Sequence, residues 1–146
     1  MTIAKKRNRF LKKIDKFNLK GISNFLYGTD LELNSYYSID TVNIVSVHKC
    51  EENYSIILLT DKILVLELGV CRVIEYSLIE EVIIDHSEMF KQKHKTIEEA
   101  KLSVKILNVI LRNGEREVII FVDDLIGVYF SIIKLGIFLN KKKDNG

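Results

Sequence analysis

Residues 55–82 read SIILLTDKILVLELGVCRVIEYSLIEEV, short apolar runs parted by Thr60-Asp61-Lys62 and Leu68-Gly69-Val70. Runs of this length suit strands rather than helices, and the turn residues between them send the chain back on itself. An antiparallel meander is the expected product. The same texture extends in both directions, with strands expected at 44–49, 54–60, 62–68, 71–76, 81–88, 102–112 and 115–122. Asn113-Gly114 is the sharpest turn signal, since both residues tolerate the positive φ of a two-residue primed hairpin turn. The polar stretch 29–43 and the charged stretch KQKHKTIEEAK at 91–101 read as loops. Asp123-Asp124 sits where a helix cap belongs, opening a helix over 125–139. The expected class is α+β, mainly β, in a chain of 146 residues, long enough to bury one core.

Within this meander, Leu59-Thr60-Asp61-Lys62-Ile63 followed by Tyr76, Ile79 and Val82 resembles the hairpin and Tyr-x-x-Ile-x-x-Val phrase of the bacterial pleckstrin-homology-like (PH-like) domains. The resemblance implies a seven-stranded antiparallel barrel or sandwich over residues 44–139, capped by the C-terminal helix. A basic helical segment (1–28) is then an addition and 140–146 a basic tail. Relatives that grip phosphoinositides carry cations on the first hairpin. Here Lys49 is followed by Glu51-Glu52, and YSIILL has no Arg or Lys. Carboxylates beside a phosphate repel it, so a headgroup pocket in that place is not expected.

The formal net charge of +2 conceals a division. Residues 1–20 hold eight cations against Asp15 alone, the tail holds Lys141, Lys142 and Lys143 against Asp144, and the body between is acidic. Such an arm suits nucleic acid, an anionic membrane surface or the acidic body of a second copy, with Lys5, Lys6, Arg7, Arg9, Lys12, Lys13 and Lys16 as its candidate contacts. Ile3, Phe10, Ile14 and Phe17 fall on one side of the same helix. They serve either to dock it on the domain or, for Phe10 and Phe17, to stack on bases. The stretch SNFLYGTD after it reads as a short further helical turn ending at Gly28.

Apolar residues exceed what one wet-faced sheet and one helix stripe can bury. The run VIIFV has apolar side chains on both faces, and the C-terminal helix is apolar almost all round. Its 15 residues, interrupted by Lys134, are too short to span a bilayer. A protein partner or a second copy is the expected cover, with Tyr129, Phe130, Ile133, Ile137 and Phe138 as candidate contacts.

Catalysis finds little support in the sequence. Cys50 and Cys71 form no ligand cluster, and His48, His86 and His94 lack the spacing of a helical metal pair. Neither a nucleophile elbow nor a glycine-rich phosphate loop occurs. No catalytic residue, cofactor or metal is expected, and the functional expectation is a non-catalytic binding or assembly module. The first ten residues carry charge without an apolar run behind it, so no secretory signal is expected and the cytoplasm is the expected compartment. The Lys-, Ile- and Asn-rich composition, without Pro or Trp, suggests a bacterial or phage origin.

Overall fold

The computed structural model describes residues 1–19, 22, 24–28, 43–85, 105–121 and 124–141. Strands β1 (Phe25–Tyr27), β2 (Ile44–Glu51), β3 (Tyr54–Leu59), β4 (Lys62–Glu67) and β5 (Val70–Glu75) form one antiparallel sheet in that order. A single 3-10 turn, Tyr76–Leu78, leads to the second sheet: β6 (Ile79–Asp85), β7 (Lys105–Leu111) and β8 (Arg116–Phe121). Helices α1 (Ile3–Asp15) and α2 (Ile126–Leu139) complete an α+β fold. The sheets do not close into a barrel: no ladder joins them among the described strands. At their seam Arg72 of β5 reaches β8, donating to Glu117 Oε2 at 2.8 Å and to the Val118 carbonyl at 3.0 Å.

Several expectations are corrected. Phe25-Leu26-Tyr27, expected as helix, is a strand paired with Ser46–His48 of β2. Alternation decides it: Phe25 and Tyr27 are buried and Leu26 faces the other way, which a strand satisfies with a period of two. Eight strands result among the described residues, rather than seven. The β7–β8 turn is not a two-residue primed turn either, for Gly114 alone takes positive φ (89°). The Gly114 N–H donates to Leu111 O at 2.9 Å, Leu111 N–H to Glu115 O at 2.8 Å, and Asn113 Oδ1 accepts from the Glu115 amide. This is a type I turn closed by a glycine bulge. Nor does Asp124 cap α2, whose start has no side-chain cap; its carboxylate holds Lys105 Nζ at 2.7 Å instead. The outer parts of the strands expected at 81–88 and 102–112, and the loops at 29–42 and 91–101, lie outside the described residues.

Both faces of the five-stranded sheet are buried along β3, which is why SIILL does not alternate. Ile56 and Leu58 join the main core, whereas Ile57 and Leu59 join Ile44 and Val47 in a second cluster. The main core takes in α1 as well: Phe10 and Ile14 have no exposed surface, and Phe10 stacks on Tyr76 with ring centroids 5.8 Å apart. Thr2 starts α1 by accepting the Lys5 amide. From α2, Tyr129, Ile132 and Ile133 are fully enclosed, each worth about 1.5–3 kcal/mol of burial. Tyr76, Ile79 and Val82, the residues of the Tyr-x-x-Ile-x-x-Val phrase, are all buried.

Gly136 lets α2 approach. A methyl group there would sit 2.5 Å from the Tyr76 ring, and that ring is stacked against Phe10. At Gly127, in the same helix, a methyl group meets nothing within 4 Å. Gly136→Ala is therefore expected to destabilise the protein by about 1–3 kcal/mol through overpacking. Gly127→Ala should stabilise it by up to about 1 kcal/mol through reduced backbone entropy. Urea denaturation of both variants measures the contrast.

Candidate functional site

Sheet two ends at β6, which pairs with β7 on one side only among the described strands. Every second residue of such a strand turns its N–H and C=O away from its neighbour, leaving them open to another chain. Along this edge runs a groove of about 610 Å³ lined by Glu80, Glu81, Val82, Ile83 and Ile84 of β6 and by Phe130, Lys134 and Ile137 of α2. Side chains alternate across a strand, so a cavity over one face would be lined by every second residue. Five consecutive residues place the groove along the edge itself. The helical residues, at i, i+4 and i+7, form one stripe and make the opposite wall.

A break in strand register shapes the groove. Ile79 pairs with Leu111 and Glu81 with Ile110, so Glu80 is an extra residue, a bulge. That is how Ile79 and Val82, three positions apart, are both buried (1% and 6% exposed). Glu80 and Glu81 stay exposed at one end, and Ile83 is 40% exposed. Lys134 Nζ lies 5.1 Å from the centroid of the half-buried Phe130 ring. The groove thus offers a strand edge unpaired among the described residues, apolar side chains and separate anionic and cationic groups.

The five candidate partner contacts on α2 do not form one surface. Tyr129 and Ile133 have no exposed area: they belong to the core, and the Tyr129 hydroxyl lies 3.0 Å from His48 Nδ1. Both are withdrawn from the candidate surface. Phe130 and Ile137 line the groove, and Phe138 is 67% exposed. On α1, Lys5, Arg9, Lys12 and Lys16 are exposed and Lys13 is half-buried. Lys6 instead donates to Asn140 Oδ1 at 2.8 Å, and Arg7 donates to the carbonyls of Ile44 (2.9 Å) and Gly28 (3.4 Å). These two cations stitch α1 to the domain rather than face outward. Phe10, enclosed against Tyr76, is not available for base stacking.

Sequence reasoning missed the β6 residues of the groove. The odd spacing of Ile79 and Val82 was the available signal, because no regular strand turns both to one face. It also missed that His48, with no exposed surface, sits 3.5 Å from the half-buried Cys50 thiol. The His48 ring packs against Phe25 and Tyr129, which gives the pair a packing role. His86 and His94 lie outside the described residues. Among the described residues no group of three or more His, Cys, Asp or Glu is placed to hold a metal ion, and no helix is long and apolar enough to cross a membrane.

Compared with known proteins, the chain matches no family model, no curated protein and no solved structure. Its own geometry carries the functional argument.

Two tyrosines respond to their surroundings. Burial, with Asp61 adding to it, pushes the Tyr76 hydroxyl far above its ordinary value, and its oxygen has no hydrogen-bond partner among the described residues. Burial, with the Cys50 thiol adding to it, pushes Tyr54 up to about 12, against the opposing pull of the Ile120 backbone and Arg72. A phenol whose folded pKa is raised adds stability below the unfolded value near 10 and loses it as pH climbs through the folded value. Stability should therefore fall from about pH 10 to 12, and Tyr76→Phe should flatten that fall. At pH 7 the same variant should be at least as stable as the parent, since it removes a buried hydroxyl without a partner. Urea melts at pH 7, 10 and 11 check both outcomes.

Proposed function

We propose that the chain is a non-catalytic, PH-like binding module that takes an extended peptide segment of a partner protein along the open edge of β6, against α2. Setting β1 aside, seven antiparallel strands followed by a helix is the order that the resemblance to bacterial PH-like domains implies. The observation that carries the binding reading is the groove lined by five consecutive β6 residues and by one stripe of α2. Main-chain pairing to the edge supplies affinity that is independent of sequence, and the wall supplies choice. Five strand residues span about 16 Å, enough for four or five residues of a partner. Apolar side chains of that segment pack on Phe130, Ile83 and Ile137. A Lys or Arg of the segment meets Glu80 and Glu81, where an acidic one would be repelled.

Selection of the protein against a display library of random 12-residue peptides tests this. The expected winners alternate apolar residues and include Lys or Arg. Their amide chemical-shift footprint should fall on β6 and α2. Phe130→Ala and Ile83→Lys should each weaken them tenfold or more, as expected from the loss of about 1.5 kcal/mol of apolar contact. Winners whose footprint lies elsewhere, or which bind both variants as tightly as the parent, would overturn the reading.

A further inference from the structure

The exposed side of α1 is unlike the rest of the surface. Lys5, Arg9, Lys12 and Lys16 stand at i, i+4, i+7 and i+11, all exposed. At 100° per residue they fall within about 60° of the circumference, and they cover about 16 Å of helix length. None is paired with a carboxylate among the described residues. The helix has no acid in its first turn, and Asp15, its one acid, accepts a hydrogen bond from the Tyr27 hydroxyl at 3.1 Å. Like charges at these spacings repel one another, so the row weakens the helix that carries it unless an anion lies along it.

We infer that this row of four cations is a binding site for the phosphate backbone of duplex nucleic acid, contacted without regard to sequence. Geometry separates this ligand from a lipid surface. Helices that lie on membranes bury their apolar face among the lipids. Here that face is already enclosed, with Phe10 and Ile14 at 0% exposure, and Arg7 and Lys6 tie the helix to the carbonyls of Ile44 and Gly28 and to Asn140. What remains outward is a line of charge, not a plane. A single strand of B-DNA carries one phosphate per about 3.4 Å along the axis, so about 16 Å of it offers some five phosphates to four cations. The acidic body between the two basic ends repels a duplex. The site is independent of the β6 groove.

The test uses the full chain and a fluorescein-labelled 20-base-pair duplex of arbitrary sequence, with anisotropy measured from 50 to 200 mM KCl. Binding should weaken with salt. The slope of log K against log salt should be about 3.6 units shallower in Lys5→Gln/Arg9→Gln/Lys12→Gln/Lys16→Gln than in the parent, at about 0.9 for each phosphate that the variant no longer neutralises. A second duplex of unrelated sequence should bind equally. Lys6→Gln, outside the row, should leave the slope unchanged. The quadruple variant should keep the parent's circular-dichroism spectrum, since Gln retains helix propensity and relieves repulsion. Equal slopes for parent and quadruple variant, or no binding by the parent at 50 mM salt, would overturn the proposal. So would binding to vesicles of phosphatidylcholine and phosphatidylserine without binding to the duplex.

Discussion

Tyr76 is the point on which the packing turns. It stands in the 3-10 turn that carries the chain from the first sheet to the second, has no exposed surface, and is anchored by its amide to the Asp61 carbonyl at 3.1 Å. Phe10 of α1 stacks on one side of its ring, and Gly136 of α2 brings helix backbone against it. One aromatic side chain thus touches both helices at the junction of the sheets. The cost is a hydroxyl without a partner among the described residues. The flat ring, which gives both helices a surface to close on, offsets it.

The groove follows from that contact. With α2 seated on Tyr76 through Gly136, the stripe Phe130-Lys134-Ile137 falls beside the edge of β6. The bulge at Glu80 turns the strand so that Ile79 and Val82 both face inward while the edge stays unpaired among the described strands. Asn140 fixes the far end of α2: its side-chain amide donates to the Thr60 and Gly136 carbonyls, and its oxygen accepts from Lys6. The helix that walls the groove is therefore held at both ends, by Tyr129 within the core near its start and by Asn140 at its finish.

Much of this was legible in the amino-acid order. Short apolar runs between turn residues placed β2 to β5 and the β7–β8 hairpin, because a two-residue period and glycine in a turn are local properties. Ile3, Phe10, Ile14 and Phe17 marked α1 as amphipathic, although Ile3 at the helix start is 52% exposed and only Phe10 and Ile14 are fully enclosed. The all-round apolar character of α2 was legible too. Its meaning was not, for Tyr129 and Ile133 read as surface when they are core.

The sequence by itself determined β2 to β8, the two helices and the concentration of positive charge at the N-terminus, since each depends on residues a few positions apart. Tertiary structure alone decided which side of α2 was buried and, among the described residues, which cations stayed free and where an unpaired edge remained. Tyr129 became core because His48, 81 positions away, brought its ring nitrogen to the hydroxyl. Arg7 left the basic face because the Ile44 carbonyl was within reach. Such outcomes depend on partners distant in the chain, and a periodicity of two or 3.6 residues carries no record of them.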